Sequence, residues 1–109
     1  MIIVVNKRYF TGKGIYIGRG SPLGNPYSSK PSKYPVRRCK TPEESVQKFE
    51  QHLRKSIDIR DVAICTVLNE IWKQVKANQK VHLVCFCKDK DGNGVCHGDI
   101  IKKVVEEKL

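Results

Sequence analysis

At 109 residues, with a net charge of +10 and 39% hydrophobic residues, the chain can bury one small core and no more. No stretch is long and apolar enough to span a membrane, and the apolar start Met1–Val5, followed by Asn6 and Lys7, is too short for a signal-peptide core and has its basic residues on the wrong side. Five cysteines, an odd number with no secretion signal ahead of them, argue against a disulfide scaffold; reduced thiols or metal ligands in a cytoplasmic protein are expected instead.

The charge is unevenly spread. Residues 1–40 hold nine Lys and Arg and no Asp or Glu, whereas residues 41–109 hold twelve basic and eleven acidic residues that nearly cancel. A solvated basic surface would aid solubility. A concentrated positive field would also attract phosphate, in a nucleotide or in nucleic acid.

In chain order, residues 2–5 read as a buried strand, β-branched and continuous, and residues 14–18 as a second. The second ends in Gly18-Arg19-Gly20-Ser21-Pro22-Leu23-Gly24-Asn25-Pro26. From Arg19 to Lys40 the chain reads as one long basic loop punctuated by Pro22, Pro26, Pro31 and Pro35, a length that is usually functional or disordered. Thr41 is a helix cap, with Pro42 in the first turn and Glu44 closing a capping box. Val46, Phe49, Leu53 and Ile57 follow at helical spacing. A second helix begins near Asp58 or Asp61, carries an apolar stripe of Cys65, Leu68, Ile71 or Trp72, and Val75, and ends about Asn78. Residues 81–87 read as a buried central strand, Lys88 to Gly94 as a polar loop, and Gly98 to Lys108 as a last helix. The order predicts a single α/β domain over residues 1–109, a small Rossmann-like sheet with helices packed on it and a basic Gly/Pro-rich loop at 18–40.

Two clusters carry chemistry. Glycines let backbone approach a ligand closely, and arginine adds a planar donor for phosphate or carboxylate. Gly18, Arg19, Gly20, Ser21, Gly24 and Asn25 are therefore candidate ligand-binding residues. The spacing misses the dinucleotide fingerprint by one residue, and no P-loop is present. The second cluster is Cys85-Phe86-Cys87 and Cys96-His97-Gly98-Asp99. On a strand Cys85 and Cys87 share a face, and a returning loop would bring Cys96 and His97 to them. Cys85, Cys87, Cys96 and His97 then form a candidate zinc set of a known composition, although adjacent Cys-His ligands are unusual. Without metal, Cys96 at a helix start is a candidate nucleophile, His97 an acid–base group and Asp99 its partner or a helix cap. The run Asp89 to Gly94 starts like a calcium loop but has Ile100 where the bidentate Glu belongs, so it reads as a turn. His82 alternates away from Cys85 and Cys87, and Trp72 reads as core. Tyr9, Phe10, Tyr16, Tyr27 and Tyr34 interleave with basic residues, a mixture suited to base stacking.

The motifs Tyr16-Ile-Gly-Arg-Gly-Ser-Pro-Leu-Gly-Asn-Pro-Tyr27, Leu83-Val-Cys-Phe-Cys87 and Cys96-His-Gly-Asp-Ile100 make the chain resemble the DUF4326 family along nearly its whole length. That family is common in bacteria and bacteriophages, so the resemblance implies the cytoplasm of a bacterium or of a phage-infected host. Its members usually carry Cys-Trp-Cys and a short proline-containing link to Cys-His; here Phe86 replaces the tryptophan and the link, Lys88 to Val95, is longer. Two readings stay open. In one, a nucleotide-like, phosphate-bearing small molecule sits on the glycine loop and is processed by N-glycosidase or hydrolase chemistry at Cys96, His97 and Asp99. In the other, zinc stabilises a module that binds nucleic acid or protein.

Overall fold

The computed structural model describes residues 1–89 and 91–108. Three parallel strands make the main sheet: β1 (Ile2–Asn6), β2 (Ile15–Tyr16) and β5 (Val81–Cys85), with β5 in the centre. Ile2 pairs with Val81 and Asn6 with Cys85 on one side, and Tyr16 pairs with Val84 on the other. Because all three run the same way, Asn6, Tyr16 and Cys85 end at one edge. The central strand is apolar at four of five positions and buried at the same four, as expected of a parallel strand covered on both faces.

Among the described residues, α1 (Pro42–Asp58) packs on the segment at Tyr27–Ser28 and on the two later helices, α2 (Val62–Lys76) and α3 (His97–Glu106), which pack on this sheet. Thr41 caps α1 as its residue type predicts, with Oγ1 accepting from the Glu44 amide at 3.1 Å, and the Glu44 carboxylate reaches back to the Lys40 amide at 3.3 Å. Phe49 and Leu53 face inward. Asp61 caps α2 through the Ile64 amide, and Asn78, in the left-handed region at φ 62°, follows the end of that helix. Ile101, Val104 and Val105 bring α3 onto the same core.

Four expectations are corrected. The strand expected at 14–18 is only Ile15–Tyr16. The one expected at 81–87 stops at Cys85, because its neighbour β1 ends at Asn6 and Lys7 N–H donates the last ladder bond to the Cys85 carbonyl at 2.8 Å. The segment from Arg19 to Lys40 is not one uninterrupted loop: β3 (Tyr27–Ser28) and β4 (Arg37–Arg38) pair in parallel within it. In α2 the inward stripe is Ile64, Leu68 and Ile71, leaving Cys65 half-buried, since this set keeps the helical spacing with a bulkier side chain. Among the described residues no helix is long and apolar enough to cross a membrane.

Candidate thiol and loop site

The strand edge gathers both motifs. Ile17 N–H continues the β2 ladder by donating to the Val84 carbonyl at 2.9 Å, so the glycine loop begins beside Cys85. From the other side, α3 starts at the same edge. Gly98 makes that possible: a Cβ there would stand 2.7 Å from Cγ1 of Val4 and 2.9 Å from Cδ1 of Ile17. Only glycine lets the first turn of α3 lie this close to the sheet. Cys96, just ahead of it, is the helix cap, its sulfur accepting from the Gly98 amide at 3.3 Å.

The result is a cluster of three thiols. The sulfurs of Cys85, Cys87 and Cys96 all lie within 4.8 Å of one another, and Cys85 and Cys96 are 3.2 Å apart. Cys87 joins from beyond the strand end and is the one that solvent reaches; Cys85 and Cys96 are buried. Hydrogen bonds from Cys87 and Cys96 draw the Cys85 thiol down, while those to Cys85 push Cys87 and Cys96 up. These hydrogen bonds favour the thiolate at Cys85 over the other two sulfurs. The three cysteines are close enough to hold a metal ion.

His97 turns its ring away from the sulfurs at one nitrogen and toward them at the other. Nε2 is 2.6 Å from the Ile17 carbonyl oxygen, and Nδ1 is 3.8 Å from the Cys96 sulfur. The carbonyl can only accept, so Nε2 carries the proton and Nδ1 presents its lone pair to Cys96. Burial holds the ring's pKa below its ordinary value and so keeps it neutral. The Phe49 ring meets the imidazole edge-on at 4.9 Å.

The loop residues divide by what their polar groups already do. Asn25 is buried; its Nδ2 donates to Ser45 Oγ at 2.9 Å and its Oδ1 accepts from the Tyr27 amide at 2.9 Å. Ser21 donates through both Oγ and its amide to the Gly18 carbonyl, and the Gly24 amide donates to Ser21. A Cβ on Gly24 would stand 2.8 Å from the Gly18 oxygen. These contacts shape the loop, and Leu23 anchors it in the core. Arg19 differs. One terminal nitrogen donates to the Tyr27 carbonyl at 3.2 Å, but its Nε is buried with no hydrogen-bond partner. Around it, Tyr16 donates to the Arg19 carbonyl at 3.1 Å, Phe86 meets the Tyr16 ring edge-on at 6.3 Å, and Gly20 lies near Tyr34.

Asp99 is engaged by Lys88. Its carboxylate accepts from Lys88 Nζ at 2.7 Å, and the same ammonium donates to the Gly94 carbonyl at 2.7 Å. Lys88 is buried and fixes the link between the two cysteine motifs onto α3. No periodicity or spacing in the sequence singles it out. The side chain of Asn6 also secures the link, donating to the carbonyl of Lys88 at 2.5 Å. His82 packs on Phe10, with ring centroids 4.5 Å apart, away from the cysteines. The apolar groove of about 340 Å³ lined by Ile57, Leu68, Trp72 and Val105 lies among the helices and not at the loop.

These features define a small α/β domain in which a glycine loop and a three-cysteine cluster meet at the carboxyl edge of a parallel sheet. The chain belongs to the DUF4326 family, a domain of unknown function, which matches residues 5–107 of the 109. No curated protein and no solved structure matches it.

Proposed function

We propose that the domain binds a nucleotide-like, phosphate-bearing small molecule at the carboxyl edge of its sheet. The sheet is read here as Rossmann-like, and open α/β sheets take ligands beyond the carboxyl ends of their strands. The observation that carries the proposal is Arg19: a buried guanidinium nitrogen without a partner costs free energy unless an anion or other acceptor completes it. Phosphate fits the guanidinium and the backbone of Gly18, Arg19 and Gly20. Tyr16, Tyr34 and Phe86 stand exposed beside this point and offer rings to a base. The reacting end of the ligand would lie toward Cys87, the exposed member of the thiol cluster, in chemistry of the N-glycosidase or hydrolase type. A cytoplasmic setting keeps the thiols reduced and suits this reading.

A second reading is a zinc-stabilised module that binds nucleic acid or protein. The convergence of three sulfurs favours it, together with Lys7 and Lys33, whose ammonium groups lie 5.4 and 5.5 Å from the Tyr16 and Tyr34 ring centroids.

Calorimetric titration with nucleoside mono- and diphosphates, and separately with single-stranded oligonucleotides, tests the two. The first reading expects saturable binding of a mononucleotide that Arg19→Ala weakens at least about tenfold, the loss of a charge-assisted pair. Tight oligonucleotide binding with no mononucleotide binding would replace it with the second.

A further inference from the structure

The thiol cluster and His97 have a geometry that neither a packed core nor a lone nucleophile requires. We infer that Cys85, Cys87, Cys96 and Nδ1 of His97 hold one zinc ion, and that this ion organises the glycine loop through the Ile17 carbonyl.

The sulfurs fit. Zinc–sulfur bonds of about 2.3 Å put tetrahedral ligands roughly 3.8 Å apart. The three sulfurs lie within 4.8 Å of one another, with Cys85 and Cys96 at 3.2 Å, so one ion can be reached with small adjustments. Cys87, beyond the end of β5 and exposed, is free to make the largest of them. Nδ1 of His97 lies 3.8 Å from the Cys96 sulfur but not within 4.8 Å of all three sulfurs, so the fourth ligand reaches the ion only when Cys87 or the ring moves toward it. Its lone pair is available because Nε2 donates to the Ile17 carbonyl at 2.6 Å. A metal-bound histidine commonly gives its second nitrogen to a carbonyl or carboxylate in this way, which fixes the ring. Cys96 caps α3 and Cys85 ends the central strand, so both are held by rigid elements.

The coupling follows from the same hydrogen bond. Ile17 directly precedes Gly18 and Arg19, and its side chain is fully buried against the start of α3. An ion on Nδ1 would hold the ring, the ring would hold the Ile17 carbonyl, and the carbonyl would set the start of the loop. This rests on the reading of the loop as the ligand-binding segment only for what the loop then binds; zinc binding itself stands apart from it.

The test uses the whole chain, purified under reducing conditions without added metal. Elemental analysis should give about one zinc per chain, because structural sites of this composition bind tightly. Cobalt(II) exchanged for zinc should give thiolate charge-transfer bands and a tetrahedral visible spectrum. Cys87→Ser, outside the sheet, should stay folded by circular dichroism and lose zinc affinity by at least about tenfold. His97→Ala should keep the charge-transfer bands and change the visible spectrum. Folded, reduced protein that takes up neither zinc nor cobalt would overturn the site, and an unchanged cobalt spectrum in His97→Ala would overturn the fourth ligand. For the coupling, trypsin cleavage after Arg19 should speed up several-fold on chelation, relative to cleavage after the exposed Arg60 between α1 and α2. Equal rates with and without zinc, or a parallel rise at both sites, would overturn it. Failure of nucleotide binding in zinc-loaded protein would count against the ligand reading alone.

Discussion

His97 reaches across eighty residues of sequence to place its Nε2 2.6 Å from the carbonyl oxygen of Ile17. The bond joins the last helix to the residue that opens the glycine loop. It also fixes the ring's tautomer, so the nitrogen facing Cys96 is the one with the lone pair. The two motifs are therefore neighbours, and changes in either should be felt in the other.

Gly98 controls that approach. Gly98→Ala places a methyl group 2.7 Å from Val4 and 2.9 Å from Ile17. Overpacking of this kind costs about 1–3 kcal/mol, and α3 should shift away from the sheet. Urea denaturation should show the loss, and the His97 ring resonances should move as the bond to Ile17 lengthens. A wild-type midpoint would mean that the neighbouring side chains simply step aside.

Asn25 and Arg19 should separate structure from binding. Asn25→Ala leaves the half-buried Tyr27 amide and the buried Ser45 hydroxyl short of partners, a loss of about 1–3 kcal/mol. Arg19→Ala should cost little stability, because the bond it loses to the Tyr27 carbonyl is offset by removal of a buried Nε that has no partner, and it should act on ligand affinity instead. Equal losses of stability in both variants would make Arg19 a packing residue.

The thiols should differ in reactivity. The sequence favours Cys96 as the reactive one, but the fold buries Cys96 and Cys85 and leaves Cys87 exposed. The hydrogen bond to Cys85 pushes the Cys87 thiol up, but Cys87 is the one of the three that a reagent can reach, so access decides. In metal-free protein under native conditions, peptide mapping after brief alkylation should find Cys87 modified well before Cys85 and Cys96. Zinc should protect all three. Modification of Cys96 first would restore it as the nucleophile.

An exposed ion-pair network predicts the acid response. Arg54 donates to Glu50 at 2.9 Å and to both oxygens of Glu107, at 3.1 and 3.0 Å, and Lys103 reaches Glu50 at 3.2 Å. The hydrogen bond from Arg54, followed by that from Lys103, holds the Glu50 carboxyl below its ordinary 4.5, and the Arg54 bond does the same for Glu107. A carboxyl depressed in the folded state contributes stability above pH 4.5 that is lost as pH falls through the folded value. Arg54→Ala should therefore lower the melting temperature slightly near about pH 6 and by less near about pH 3. An equal loss at both values would assign the role of Arg54 to packing of its aliphatic stem.

Much of this was legible in the sequence because it is local. Thr41, Pro42 and Glu44 form a cap within one turn, Asp61 lies at a helix start, and Ile2–Val5 form a continuous β-branched run; each depends on neighbours a few residues away. Spacing also put Cys85, Cys87, Cys96 and His97 in one candidate set, of which the three sulfurs converge. Strand ends were less legible: β5 stops at Cys85 because β1 stops at Asn6, a fact of pairing between distant segments. The two-residue strands β3 and β4 are too short to carry any period. The pairing of Lys88 with Asp99 leaves no trace in residue spacing, since a buried charge is selected by the one partner that the fold brings to it. The site was divided in the same way. Residue types announced a loop and a thiol set, but only the tertiary structure decided that Asn25 and Ser21 are consumed in shaping the loop, that Arg19 keeps an unpartnered nitrogen, and that His97 joins the two motifs. Those roles depend on which donors and acceptors the packed chain has already satisfied, and that is determined by contacts between parts of the chain far apart in sequence.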